Sequence, residues 1–227
     1  MLLLPTLYPL HAGIKMIDLH THTFFSDGEL LPSELVYRAK NAGYDAIAIT
    51  DHCDFSNMDF VIKRIKTITA ELKQHYNITV LAGCELTYVP PKLISKAVKK
   101  ARQLGAKIVV VHGESPVEPV PTGTNRAAIL AKCDILAHPG FISENDAKLA
   151  KKMNIPLEIT TRNGHKKGNA HVAKIAKKTG VKLVMNTDLH SPENLFSEKL
   201  IKNILKEAGL SMNDFKIMQR NSYNLLK

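Results

Sequence analysis

Short β-like runs alternate with helical ones along the chain, and this alternation limits the fold more than any other feature of the sequence. Residues 17–22, DAIAIT at 45–50, 79–84, KIVVV at 107–111, 134–137, 156–159 and 181–186 read as seven strands. Helical patterns fill 32–40, 59–76, 92–104, 125–132, 144–153 and 170–179, and 193–208 with a shorter segment from Met212 finishes the chain. Pro32 suits a first helical turn, while Gly43, Gly105 and Gly180 sit where helices stop. A strand-then-helix unit repeated seven times implies a parallel sheet with helices outside it. The uninterrupted apolar run KIVVV fits a strand buried on both faces.

An open doubly wound sheet and a closed barrel both satisfy this pattern. No G-x-G-x-x-G or G-x-x-x-x-G-K-[ST] loop follows any strand, which removes the commonest ligand site of the open class. The barrel is favoured by where the reactive residues fall. His20 and His22 end the first strand, with Asp27 just after it, and Asp51-His52 follow the second. Glu85, His112 and His138 end the third, fourth and fifth, and Asp188 and His190 follow the seventh. The sixth has no His or Asp and ends Glu158-Ile-Thr-Thr-Arg162. In a closed parallel barrel all strand C-termini open on one face, where catalytic groups collect.

The spacing is that of metal ligands. Side chains two apart on a strand share a face, so His20 and His22 can clasp one ion, and Asp188-Leu189-His190 repeats the arrangement with one carboxylate. Imidazole with carboxylate suits Zn, Fe or Mn. His11 and His75 fall away from strand ends, as does His171, and Cys53, Cys84 and Cys133 read as small core residues rather than ligands.

His20-x-His22-x-x-x-Ser26-Asp27-Gly28, Thr50-Asp51-His52, Glu85, His112, His138-Pro139 and Asp188-x-His190, in that order, resemble the signature of the PHP (polymerase and histidinol phosphatase) superfamily. The likeness implies a distorted (β/α)7 TIM-like barrel with a trinuclear metal site. It implies that His20, His22, Glu85 and Asp188 hold one ion, that Glu85 bridges to a second on His112 and His138, and that Asp27, His52 and His190 hold a third. Such ions lower the pKa of a shared water from about 15.7 towards roughly 7, giving a hydroxide that attacks phosphorus in line. Glu85 is thus expected to be catalytic as the bridge. No side-chain nucleophile is needed, so Ser26 and Ser115 read as loop residues.

Phosphate also needs donors from the protein. Arg162, on the strand end without a ligand, is expected to fork onto phosphate oxygens, with His165 assisting or serving as general acid. Asn125 and Arg126 begin a helix whose N-terminus favours anions. Asp51 and Glu114, beside ligands, are expected to orient imidazoles.

A chain of 227 residues suits one domain, expected over 16–227, with Met1–Lys15 as a short extension. Three widely spaced cysteines fit a reducing, cytoplasmic setting, and no apolar run approaches a membrane span. The net charge of +10 attracts anions of any kind, and much of it is spread over helix faces. The function expected is hydrolysis of a small phosphomonoester, with histidinol phosphate the first compound to test. The alternatives are a 5′-3′ exonuclease or nucleotide phosphatase, favoured by Phe24, Phe25, Phe55, Tyr88 and Phe141 near strand ends, and a non-catalytic, metal-stabilised accessory module.

Overall fold

The structure, a computed structural model, describes residues 15–227; the extension expected over Met1–Lys15 lies outside the described residues apart from Lys15. Eight parallel strands run in the order β1 (Ile17–Asp18), β2 (Ala46–Ile49), β4 (Thr79–Leu86), β5 (Ile108–His112), β6 (Ile135–Ala137), β7 (Leu157–Thr160) and β8 (Leu183–Asn186), with the two-residue β3 (His52–Cys53) pairing β4 beyond the end of β2. β2 and β3 keep one register against β4, so they act as one strand interrupted at Thr50-Asp51. Helices α1 (Pro32–Asn41), α2 (Met58–Tyr76), α3 (Pro91–Leu104), α4 (Thr124–Leu130), α5 (Glu144–Met153), α6 (Asn169–Thr179), α7 (Glu198–Ala208) and α8 (Met212–Asn224) complete the chain. The expected helix over 193–208 is shorter: a 3-10 turn at Pro192–Asn194 precedes α7, which starts where the Ser197 side chain accepts the Leu200 N–H.

The sheet curls into a nearly closed barrel with two apolar cores. Ile17, Leu19, Ala46, Ala48, Ile108, Val110, Ile135, Ala137 and Val184 fill its inside, and Leu225 and Leu226 pack on that set from the chain's end. A larger core lies between the strands and the helices, built on Ile47, Ile49, Val109, Val111, Leu136, Leu157 and Ile159 with the inner faces of α1 to α8. The even split of neighbouring strand residues between the cores is the period-two pleat.

The seam is made by β1 and β8. Regular pairing of β1 stops at Asp18, earlier than the strand expected over 17–22; beyond it the Thr21 carbonyl accepts the Thr50 N–H on one side while the chain bonds to the segment after β8 on the other. The Asp188 N–H donates to the His20 carbonyl (2.9 Å) and the His22 N–H to the Leu189 carbonyl (2.8 Å). Inside the seam, Asn186 Oδ1 accepts the Leu19 N–H (2.9 Å) while its Nδ2 donates to Glu158 Oε1 (2.8 Å). Asn186→Ala strands the buried Leu19 N–H and leaves Glu158 Oε1 with His20 as its remaining side-chain donor, so urea unfolding of metal-free protein is expected to show about 1–3 kcal/mol less stability. A loss under about 0.5 kcal/mol would show that the seam does not depend on this side chain.

Candidate metal centre

The strand C-termini carry their ligand-type side chains to one mouth, and two backbone devices bring them together. Gly113 follows His112 at the end of β5, where a Cβ would meet the Ala137 carbonyl oxygen at 2.3 Å. The missing side chain lets β5 and β6 end in close contact, with the His112 and His138 rings 4.4 Å apart. His138 and Asp188 themselves hold left-handed backbone angles (φ 24° and 54°), an uncommon choice for non-glycine residues that tips both side chains into the mouth.

Every residue of the expected ligand set lies in this cluster. His20 and His22 rings are 5.1 Å apart, and His22 lies 4.2 Å from His190 and 4.3 Å from His52. Glu85 is fully buried, with His20 Nε2, His112 Nδ1 and His138 Nε2 each 3.4 Å from Oε1 and His52 Nδ1 2.8 Å from Oε2. Asp188 lies 3.2 Å from His22 Nε2 and 3.6 Å from His138 Nε2. Asp27, on the exposed loop after β1, reaches His190 Nε2 at 3.1 Å and His52 Nε2 at 3.5 Å. Four groups emerge among the described residues: His20, His22 and Glu85; His112, His138 and His165; His20, His138 and Glu158; and His22, Asp27, His52 and His190, with ligand atoms within 4.8 Å of one another in each.

These residues fit metal ions. His20 Nε2, His22 Nε2, Glu85 Oε1 and His112 Nδ1 are buried with no hydrogen-bond partner, although they face one another across the mouth, and His138, whose Nε2 faces Glu85 and Asp188, has its Nδ1 buried and unpartnered as well. A buried polar atom without a partner costs stability, and a cluster of them aimed at a common space is the arrangement a cation resolves. The charges agree. Burial opposes ionisation of Glu85 and Asp188, yet the surrounding imidazoles, His20 foremost, hold both carboxyls well below the usual range. Burial and the neighbouring His52 bring His22 down to about 3, which leaves its nitrogen lone pair free. At His52 burial is outweighed by Glu85, which pushes it up to about 9.

Glu158 is the residue the sequence reading passed over. It is fully buried in β7, where its Oε1 accepts from His20 Nδ1 (2.9 Å) and Asn186 Nδ2 and its Oε2 accepts the His138 N–H (3.1 Å). One carboxylate therefore fixes the ring of one ligand and the backbone of another. The available signal was a charged residue inside an apolar strand run. Ser115, expected to be a plain loop residue, is buried and pairs with His165 Nδ1 at 2.6 Å.

Several expected roles are corrected. Asp51 orients no imidazole; it accepts from the Thr23 N–H, the Thr23 hydroxyl and the Ser26 hydroxyl, and so ties down the loop after β1. Glu114 instead accepts the Gly123 and Asn125 N–H groups, which fills the N-terminus of α4 with the chain's own carboxylate. Asn125 is buried with its amide spent on the Glu114 N–H and the Pro139 carbonyl, and Arg126 points outward to Asp146 at 2.8 Å. The anion site expected at Asn125 and Arg126 is therefore already occupied. His165 lies 4.2 Å from His138, and burial together with that ring brings its pKa down to about 4. A neutral imidazole is a poor general acid and a good ligand or hydrogen-bond donor. Arg162 follows β7, half-buried, its N–H on the Thr160 hydroxyl.

Comparison with known proteins settles the family. A model of the PHP domain matches residues 18–185. The chain belongs to the PHP domain family. It is 51% identical over 196 residues to an uncharacterized protein of Methanocaldococcus jannaschii, covering 86% of this chain and 90% of that one. Among solved structures, a chain of an archaeal ribonuclease P with mature tRNA superposes with a TM-score of 0.71 at 19% identity, over 92% of this PHP chain and 89% of that chain. Histidinol phosphate phosphatase from Lactococcus lactis, solved with zinc, L-histidinol and phosphate, gives 0.59 at 19% identity, over 87% and 95%. At such identities the two structures share the fold.

Glu158→Gln tests the ligand-orienting contact. A glutamine offers one acceptor where three donors converge, so its NH2 must face a donor. Metal affinity measured by chelator competition is expected to fall about 10- to 100-fold while the far-UV spectrum is unchanged. Unchanged affinity would make Glu158 a packing residue.

Proposed function

We propose that this PHP-domain protein is a metal-dependent phosphoesterase that hydrolyses small phosphomonoesters, with histidinol phosphate the first substrate to test. The observation that carries this reading is the set of buried, unpartnered imidazole and carboxylate atoms converging at the barrel mouth. His20, His22, Glu85 and Asp188 would hold one divalent ion, Glu85, His112 and His138 a second, and Asp27, His52 and His190 a third, with Zn, Mn or Fe compatible with the donors. Bound there, the ions would supply Lewis acidity and a water of pKa near 7, roughly. The chain's own groups do the rest. Glu158 and Asn186 hold His20 in one orientation, Ser115 holds His165, and Arg162 at the rim offers a planar fork to phosphate oxygens. Histidinol phosphate bears on this chain through the likeness in fold to the Lactococcus enzyme.

A nucleic-acid or nucleotide substrate is the second reading. Phe24, Phe55, Tyr88 and Phe141 are all exposed on loops that follow strands, around a mouth on a chain of net charge +10. Exposed aromatics give sequence-tolerant platforms for bases. An accessory role without catalysis leaves the completeness of the ligand cluster unexplained. A phosphate-release screen over phosphomonoesters, nucleotides and 5′-phosphorylated oligonucleotides, with Mn, Zn and Fe supplied in turn, separates the three.

Two substitutions divide metal holding from phosphate holding. Glu85→Gln removes the carboxylate that five imidazoles share, and turnover is expected to fall by about 100-fold or more, since loss of an outer partner alone costs about 10- to 100-fold. Turnover within a few-fold of wild type would mean that Glu85 does not bridge. Arg162→Ala should leave metal content unchanged and lower kcat/KM by an amount worth about 2–4 kcal/mol, with Arg162→Lys recovering only part. Normal kcat/KM in Arg162→Ala would move the phosphate anchor elsewhere on the rim.

A further inference from the structure

Tyr88 occupies the loop between β4 and α3 in a way that packing alone does not account for. Its φ is 57°, in the left-handed region that bulky residues avoid, and its side chain is 59% exposed. Its neighbours are both anchored. The Thr87 N–H donates to the Cys53 carbonyl, the Thr87 hydroxyl sits 2.6 Å from His52 Nδ1, and Val89 is buried ahead of the two prolines that open α3. The chain must therefore pass Tyr88 with its two flanks fixed, and the left-handed residue turns the ring out over the mouth.

The ring is not loose over the surface. It lies nearly parallel to the buried His112 ring, 19° between planes and 6.3 Å between centroids, while most of the side chain is open to solvent. It lines a cavity of about 420 Å³ together with Asp27, His52, Thr87 and Glu118. Glu118 stands across that cavity with its carboxylate half-exposed, 3.5 Å from His165 and 4.0 Å from His112. The cavity thus joins a strained aromatic face and a carboxylate acceptor directly to the candidate metal ligands Asp27 and His52.

Resting on the phosphoesterase reading, we infer that Tyr88 is the specificity-determining residue for the alcohol half of the substrate, and that this half carries a planar nitrogen heterocycle. A planar ring laid on the open face of Tyr88 extends the stack that begins at His112. Its N–H groups meet the Glu118 carboxylate, while the phosphate end points to the metal ligands. A nucleobase and an imidazole share this chemistry, and they differ in ring area.

The test uses the full chain as purified. Binding of adenosine, L-histidinol and glycerol is measured by calorimetry on wild type, Tyr88→Phe, Tyr88→Ala and Tyr88→Gly. Ring stacking predicts that at least one heterocyclic alcohol binds wild type and Tyr88→Phe alike and binds Tyr88→Ala about 10- to 100-fold more weakly. Tyr88→Gly relieves the backbone strain, so it should match or exceed wild type in thermal stability while losing the ring alcohols, which a purely structural role for Tyr88 does not produce. Preference for adenosine assigns a base, and preference for histidinol an imidazole. Equal binding of the ring alcohols to wild type and Tyr88→Ala overturns the inference, as does binding of neither ring alcohol to wild type. Release of phosphate from adenosine monophosphate and from ribose 5-phosphate separates the two proposals. Turnover of both esters with no dependence on Tyr88 sinks the stacking role alone. Tyr88-dependent binding of a ring alcohol with no ester hydrolysed leaves the ring site standing and removes the phosphoesterase reading.

Discussion

The barrel closes through the same backbone that carries its metal ligands. The hydrogen bonds that join β1 to β8 run from Asp188 to His20 and from His22 to Leu189. Three of those four residues belong to the ligand cluster. Closing the sheet and assembling the mouth are therefore one event, and neither can be altered without the other. A seam of regular strands would be more stable by itself, since the left-handed angle at Asp188 interrupts the ladder there. The arrangement exchanges pairing regularity for the approach of three carboxylates, Asp27, Glu85 and Asp188, to six imidazoles.

Electrostatics set the terms on which that cluster is tolerated. Buried carboxylates and imidazoles are costly unless paired, and a mixture of both signs keeps the cost down because each carboxylate is surrounded by rings that stabilise its charge. The pairing is incomplete, since five buried ligand atoms have no hydrogen-bond partner. A fold that leaves so many polar atoms unsatisfied in one place has a site that a cation stabilises further, by linkage between binding and folding. The surface carries the opposite balance, +10 overall, which draws anionic substrates towards a mouth whose own wall is partly acidic.

How much of this was readable in the sequence depended on range. The strand-helix alternation and the histidines at strand ends are local patterns, and they gave the parallel barrel and the residues that meet at its mouth. A charge inside the apolar run of β7 is the only local mark of Glu158, and its role appears only when folding brings His20 and the His138 backbone to its two oxygens. Asn125 and Arg126 looked like an anion site because a helix begins there, but Glu114, eleven residues before Asn125, fills that position. Asp51 suggests a partner for an imidazole by its place beside His52, and instead secures Thr23 and Ser26 in the loop after the neighbouring strand β1. The strained backbone of Tyr88 has no sequence signature, since neither neighbour is a glycine.

The central claim is that the buried cluster at the seam is built to hold metal, and elemental analysis of the gently purified chain tests it most directly. The account predicts up to three transition-metal ions per chain, Zn, Mn or Fe, either retained through purification or taken up on reconstitution. Metal at no more than a trace, with no rise after reconstitution with each of the three, would contradict it.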